Sequence, residues 1–172
     1  MSEAMAYDRL LPCLLDRLTD EEPEAAKESR DRRVISFRRY LDGVRRDLSW
    51  LLNSREQLAG EPIHQYPEAA RSVLNLGIAD LCGVTASSIQ AGELERNLRQ
   101  AILTYEPRIV RSSLSVRVIR RNTDGDTQGK GREAGGHNAL VFEISGELWA
   151  QPAPEAFFVK TQVDLETGEW RL

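Results

Sequence analysis

The amino-acid sequence predicts an α+β fold, in which three helices precede an antiparallel sheet of three to four strands. Apolar residues recur at spacings of three and four in Ser36–Leu52 and again in Ala91–Tyr105, which is the period of an amphipathic helix. From Leu114 onward they alternate with polar residues, the period of a half-buried strand. Because helices and strands do not alternate along the chain, an antiparallel sheet is favoured over a doubly wound fold. The 172 residues suit a single domain with its own core.

The first 35 residues are interpreted as an arm that precedes a domain spanning residues 36–172. Leucines of the arm stand at helical spacing, and they are Leu10, Leu11, Leu14, Leu15 and Leu18. They are followed by the acidic run Asp20-Glu21-Glu22-Pro23-Glu24, and such runs are usually solvated. The pattern is typical of a docking peptide with an acidic linker, and it fits a capping turn of the domain equally well.

Each predicted helix has an apolar face and a recognisable end. The apolar stripe of the first helix consists of Phe37, Leu41, Val44, Leu48, Leu51 and Leu52. Its opposite face is rich in arginine, which indicates either a solvated surface or a site for an acidic partner, including the chain's own acidic run. A second helix is predicted to start at Pro67, to present Ala70, Val73 and Leu74 as its apolar face, and to end at Gly77. The third ends before Pro107, since a proline disfavours the helical conformation of the preceding residue.

Three strands are predicted from alternating apolar residues, and a fourth from the short segment after a turn. The inward residues are Leu114, Val116 and Val118, then Leu140, Phe142 and Ile144, and then Phe157, Val159, Thr161 and Val163. The turn is Glu166-Thr167-Gly168, after which residues 169–172 return as the fourth strand. Between the first two strands, residues 122–136 contain five glycines, which predicts a flexible hairpin connection.

Composition argues against several classes of function. The net charge of −4 argues against a general nucleic-acid binder. Neither a signal peptide nor an apolar stretch long enough to span a bilayer is visible, so we expect a cytoplasmic protein that reaches membranes only through partners. Cys13 and Cys82 form no CxxC motif and fit free thiols in a reducing compartment.

The motifs that would indicate a cofactor, a metal or catalysis fail in detail. The loop Gly125–Gly131 lacks the glycine spacing and the hydroxyl residue of a phosphate-binding loop. A calcium loop beginning at Asp124 would have Gly135 where a bidentate glutamate is required. A glycosidase needs two carboxylates across a cleft, one of them in an apolar pocket, whereas Glu106 is the only acid at a structurally special position and is flanked by Arg108. We therefore expect no cofactor, no metal site and no catalytic residue.

The segment Tyr105-Glu106-Pro107-Arg108-Ile109 lies where the third helix ends and the first strand begins. Pro107 stiffens this corner, because its ring restricts the backbone. Glu106 and Arg108 would then project from a fixed backbone. They could pair with each other as an incidental salt bridge, or they could bind a partner.

Three segments, in this order, resemble one protein family. They are Leu14-Leu15-Asp16-Arg17-Leu18, then Arg45-Arg46-Asp47-Leu48-Ser49-Trp50-Leu51-Leu52-Asn53-Ser54-Arg55, and last Glu106-Pro107-Arg108. Together they are similar to the baseplate wedge subunits of contractile injection machines, above all the TssE family of type VI secretion systems. That family is related to the wedge protein of contractile-tailed phages, long labelled lysozyme-like. Residues 72–81 are also similar to the family's second helix and turn, although Ala79 stands where a proline is expected.

The resemblance implies a structural role, which is to link baseplate wedge subunits and to initiate polymerisation of the contractile sheath. The implied partners are wedge subunits of the TssF, TssG and TssK types and sheath subunits of the TssB and TssC types. Glu106, Pro107 and Arg108 are implied to contact neighbouring wedge subunits, and the sheet is similar to the sheath domain that exchanges strands with its neighbours. The alternatives are a lysozyme-like glycoside hydrolase and a small regulatory adaptor of the same fold.

An exposed sheet edge would suit such assembly, because its unpaired backbone groups can accept a partner's strand. We expect this edge in Ile109–Arg121, whose arginines, among them Arg111 and Arg117, would meet acidic surfaces of the sheath or wedge. The alternative is a central strand whose arginines only cover its wet face. Leu14, Leu15 and Leu18 of the arm are expected to bind a partner subunit.

Overall fold

The computed structural model describes residues 10, 12–19, 24, 35–56, 63–83, 90–119, 139–151 and 153–172. The described helices are α1 (Leu14–Leu18), α2 (Phe37–Asn53), α3 (Pro67–Ala70) and α4 (Ala91–Tyr105), with 3₁₀ turns at Ile63–Gln65 and Val73–Asn75. The strands follow as β1 (Ser115–Ile119), β2 (Ala139–Leu148), β3 (Glu155–Asp164) and β4 (Trp170–Arg171). This order confirms the α+β fold with an antiparallel sheet. The predicted hairpin at 122–136 and residues 20–23 of the acidic run lie outside the described residues.

The long helix α2 forms because its sequence provides both a start signal and an apolar stripe. Ser36 caps the N-terminus, since its side-chain oxygen accepts a hydrogen bond from the backbone N–H of Arg39 at 3.3 Å. The buried residues of the helix are Tyr40, Gly43, Val44, Leu48, Leu51 and Leu52. Within the described parts of the chain, no helix is both long enough and apolar enough to cross a bilayer.

The four strands lie in the order β1-β2-β3-β4, and each pair is antiparallel. Alternate strand residues enter one core with the buried residues of α2 and α4, as the alternation predicts. Phe142, Ile144 and Val163 are completely buried there. The ring of Phe142 lies 5.0 Å from that of Trp170, which joins β4 to the centre of this core.

The chain before α2 also contributes to the core. The N–H of Ile35 donates to the carbonyl oxygen of Leu10 at 3.0 Å in an isolated antiparallel bridge, and both side chains are buried. The division into an arm and a domain at residue 36 stays a prediction. These two residues of the arm, however, pack with the domain.

The second predicted helix differs from the structure. It begins at Pro67 as predicted, but it ends at Ala70, and a separate 3₁₀ turn follows. Ser72 interrupts it, because its hydroxyl group forms local hydrogen bonds with the backbone that compete with helical ones. The expected burial of Val73 and Leu74 is therefore wrong, since these residues are 81% and 70% exposed.

Gly77 has a positive φ of 147°, but it does not end a helix. The chain at this point runs beside the residues that follow α2, where Arg55 and Ile78 form a parallel bridge. A Cβ on Gly77 would lie 2.5 Å from the carbonyl carbon of Arg55, so glycine is required by this close approach.

Candidate functional site

The Glu-Pro-Arg corner joins the end of α4 to the sheet. The N–H of Glu106 donates to the carbonyl of Ile102 at 2.8 Å at the end of the helix. Two residues later the chain already meets the end of β2, where the N–H of Trp149 donates to the carbonyl of Arg108 at 2.7 Å. Pro107 lies between these residues and is exposed. Backbone hydrogen bonds therefore hold both flanks of the corner.

Glu106 and Arg108 bind each other inside the protein. Glu106 is only 4% exposed, and both of its carboxylate oxygens accept from the guanidinium group, Oε1 from Nε at 2.6 Å and Oε2 from Nη2. Oε1 also accepts from the backbone N–H of Arg108 at 3.1 Å. The structure thus shows the internal salt bridge, and it leaves Pro107 as the surface member of the motif. A contact of this motif with a partner subunit stays a prediction.

Arg108 also binds α2. Its Nη2 donates to Oδ2 of Asp47 at 2.6 Å, and its guanidinium carbon lies 6.0 Å from the centre of the Tyr40 ring. Burial lowers the pKa of Arg108, but the hydrogen bonds and charges of Glu106 and Asp47 outweigh this effect and raise the pKa above its usual value. Arg108 is therefore a permanent cation that fastens α2 to the corner.

A series of alternating charges continues from this pair to α1. Asp47 accepts from Nε of Arg46 at 3.0 Å, and Arg46 in turn binds Asp16 on α1. The hydrogen bond from Arg46 lowers the pKa of Asp16. The Sγ of Cys13 donates to Asp16 at 3.1 Å and accepts from Arg46 at 3.3 Å. The polar side of α1 thus docks on α2.

Gly43 of α2 lies beside both ends of this charge network. A Cβ on Gly43 would lie 3.5 Å from Oδ2 of Asp16 and 3.9 Å from Nη1 of Arg108, so α1 and the corner approach α2 at the same point. The roles of Asp16, Arg46 and Asp47 were not predicted from the sequence. The available signal was that all three stand within the segments that carry the family resemblance.

Because α1 contacts α2 through its polar side, the leucines of α1 lie at the surface. Leu14, Leu15 and Leu18 are between 45% and 73% exposed. Trp50 on α2 is also exposed, and Arg46 stacks over its ring at 5.1 Å while it binds α1. We call the three leucines and this indole the leucine surface. Its contact with a partner stays a prediction.

The two other predicted arginines lie beyond the corner, before and within β1. Arg111 is exposed, and its Nη2 donates to the carbonyl of Leu103 at 3.2 Å. Arg117 is exposed on β1, opposite Glu143 of β2. Because β1 stands at one end of the described sheet, the alternative of a central strand is wrong for the described strands. The expected exposed edge is also wrong for them, because Glu95 and Arg99 of α4 bind the backbone groups of Val118 and Leu114 that point away from β2.

On the other side of the sheet, the described residues leave part of β3 without a pairing strand beyond β4. β4 pairs with only two residues of β3, whereas β2 pairs with all 10. The N–H of Asp164 donates to the carbonyl of Glu169, so the backbone groups of Asp164 point away from β2. Every second residue of β3 before Asp164 directs its backbone groups to this same side. Beyond the end of β4 these residues are Ala156, Phe158 and Lys160, which are exposed and have no backbone partner among the residues described. We call the stretch Ala156–Lys160 the open edge.

At β4 itself the edge is closed by the last residue of α2. Asn53 accepts from the N–H of Trp170 at 3.0 Å and donates to the carbonyl of the same residue at 3.1 Å. These are the two hydrogen bonds that a further strand would form there. On this side of the described sheet, a partner strand could therefore pair with the open edge but not with Trp170.

Replacing Asp16 by asparagine is expected to release α1 from α2, because Arg46 would lose its charged partner. Both side chains are partly exposed, so the expected loss of unfolding free energy is about 1 kcal/mol or less. NMR shifts of the α1 amide groups would report the release. Because the folded-state pKa of Asp16 is lowered, the salt bridge should stabilise the docked state above the usual pKa of 3.8. This contribution should be lost as the pH falls through the lowered value.

The matched control for this variant is Asp42→Asn, which removes a carboxylate from the exposed face of α2. It should leave the shifts of the α1 amide groups unchanged. If Asp16→Asn also leaves them unchanged, Asp16 does not dock α1.

The corner has no pair of unengaged carboxylates of the kind that glycoside hydrolysis requires. Both oxygens of Glu106 accept from Arg108, and Asp47 binds the same guanidinium group. In the described ranges there is also no group of three or more His, Cys, Asp and Glu side chains that could hold a metal ion. The arrangement can hold a corner rigid and present surfaces to other chains.

Comparison with known proteins assigns the chain to one family. A family model described as baseplate wedge protein gp25 matches residues 38–153, about two thirds of the chain. The match includes nearly all of α2, the Glu-Pro-Arg corner and the first two strands, whereas α1 and β3 lie outside it. No curated protein and no solved structure matches the chain. The chain therefore belongs to the family of baseplate wedge protein gp25, the structural components of a baseplate.

Proposed function

We propose that this chain is the wedge subunit of a type VI secretion baseplate that links its neighbours and starts polymerisation of the contractile sheath. Membership of the wedge family supports a structural role in a baseplate. The resemblance to the TssE family favours the type VI system, because it extends to the segment of α1 that precedes the matched region. The proposed work is assembly in the cytoplasm, without catalysis.

The open edge is the observation that carries this proposal. A strand of a sheath subunit could pair with the backbone of Ala156, Phe158 and Lys160 and extend the sheet beyond the end of β4. Proteins normally cover such an edge, because it invites pairing with other chains. The accepting strand was expected in Ile109–Arg121. It is placed instead in β3, because side chains of α4 form hydrogen bonds with the backbone groups of Leu114 and Val118 that point away from β2.

The surfaces proposed for wedge subunits of the TssF, TssG and TssK types are the leucine surface, Pro107, Arg111 and Arg117. The leucine surface offers apolar area, whose burial drives association. Arginine is favoured at interfaces because its planar guanidinium group can bind a carboxylate through two parallel hydrogen bonds. Glu106 and Arg108 contribute by fixing the corner that carries Pro107 and leads to these arginines.

Cells that carry a fluorescent sheath subunit test the proposal. Deletion of this chain should abolish assembled sheaths, and its renewed expression should restore them. The purified full chain should also be retained by wedge subunits and by sheath subunits of the TssB and TssC types. Full-length sheaths in the deletion strain, or cleavage of peptidoglycan by the purified chain, would overturn the proposal.

A further inference from the structure

The outer side of β1 is closed by side chains of α4. The N–H of Val118 donates to Oε1 of Glu95 at 2.8 Å, and the carbonyl of Leu114 accepts from Nε of Arg99 at 3.1 Å. The Nη2 of Arg99 also donates to the carbonyl of Arg111 at 3.3 Å. Two side chains one helical turn apart therefore hold both ends of this edge.

The groups that Glu95 and Arg99 occupy are those that a further strand would need. In an antiparallel ladder, alternate residues direct both of their backbone groups to the same side. Because Leu114 and Val118 direct theirs away from β2, Val116 between them does so as well. The side chains of Leu114 and Val116 enter the core, where they are only 5% and 7% exposed. A further strand would therefore compete with Glu95 and Arg99 for the outward backbone groups.

We infer that Glu95 and Arg99 make the sheet one-sided, so that it accepts a partner strand at the open edge and not at β1. The strand that they exclude is β1 of a second copy of this chain, paired antiparallel across a two-fold axis. With Val116 on that axis, Arg117 of each copy would lie opposite Ser115 of the other, so no like charges would oppose the pairing.

A sheet with one accepting edge would make sheath assembly directional, and this consequence rests on the proposed function. If the open edge is the template for the sheath, then a single accepting edge allows subunits to add in one direction only. A second accepting edge would let two copies of the chain pair with each other instead of with the sheath. The covering of β1 by α4 thus assigns Glu95 and Arg99 a role in the specificity of assembly.

The double variant Glu95→Ala/Arg99→Ala removes both covering side chains. In sedimentation velocity of the full chain at rising concentration, with no other subunit present, the variant is expected to reach twice the mass of the wild type. The control Glu93→Ala/Arg96→Ala removes the same two charges from exposed positions of α4 and should sediment as the wild type does. Adding Val116→Pro to the double variant removes an outward N–H group and should abolish the extra association.

Amide exchange tests the same inference if the double variant is too unstable to compare. The N–H of Val118 should exchange roughly tenfold faster in Glu95→Ala than in the wild type, because one hydrogen bond is lost. Glu95→Gln keeps an accepting oxygen and should largely preserve the protection.

Either of two results would overturn the inference. One is a folded double variant that sediments as the wild type does. The other is a Val118 amide that stays equally protected without Glu95. Neither assay contains a sheath subunit, so a negative result here would leave the proposed function untouched. Conversely, normal sheaths in the deletion strain would overturn the proposed function without showing that β1 is uncovered.

Discussion

Replacing Arg108 by alanine is expected to lower the free energy of unfolding by about 3–5 kcal/mol, the usual cost of breaking a buried ion pair. The change leaves the buried carboxylate of Glu106 without its guanidinium partner. Asp47 loses the same partner, and α2 loses its link to the corner. Urea denaturation followed by tryptophan fluorescence measures the loss.

Two further variants distinguish the buried pair from a general effect of removing an arginine. Arg111→Ala removes an exposed guanidinium group from the same segment and should cost about 1 kcal/mol or less. Arg108→Lys keeps the charge but loses the paired hydrogen bonds, so its cost should fall between the two. If Arg108→Ala costs no more than Arg111→Ala, the buried pair does not stabilise the corner.

The expected instability affects how variants of the corner are interpreted. Arg108→Ala should change both the fold and any contact that the corner makes with a partner subunit. An assembly defect in this variant, or in Glu106→Ala, therefore has to be compared with the folded fraction of the protein. A defect that exceeds the loss of folded protein would indicate a direct contact.

Replacing Phe158 by proline is expected to abolish sheath initiation while the chain stays folded. The backbone N–H of Phe158 points to the open edge, so proline removes a hydrogen bond to a partner strand without removing one to β2. The side chain is 52% exposed, so its loss removes little core packing. The number of fluorescent sheaths per cell should fall to that of the deletion strain.

The matched control is Phe158→Ala, which removes the same ring but keeps the backbone N–H. It should retain most sheaths, because strand pairing depends on the backbone. Circular dichroism of both purified variants would establish that they are folded. Normal sheath numbers in a folded proline variant would exclude pairing at Phe158, and an equal loss in both variants would assign the contact to the ring.

Periodicity predicted most of the fold because it is a local property of the chain. α4 spans Ala91–Tyr105 as predicted, and the buried residues of β2 and β3 follow the predicted alternation. The prediction was wrong between Pro67 and Gly77. There the hydroxyl group of Ser72 and the close approach to Arg55 determine the backbone, and neither appears in an apolar pattern.

The candidate site was only partly visible in the sequence. Glu106 and Arg108 attract attention because they flank a proline at the end of a helix. Asp47, which binds Arg108, is 61 residues away, and Asp16 is 30 residues from Arg46. No rule of spacing connects positions so far apart, so the charge network could not be derived from the residues alone.

By itself, the sequence determined the class of fold, the order of the elements and the position of the corner, because each of these depends on residues that are neighbours along the chain. Only the tertiary structure decided that Glu106 and Arg108 bind each other and that α1 presents its leucines. It also decided that, among the described residues, part of β3 has no pairing strand, whereas side chains of α4 bind the outer backbone groups beside β1. The physical reason is that burial and hydrogen bonding at an edge are set by whichever groups pack there. For β1 those groups belong to α4, whose position depends on the whole core.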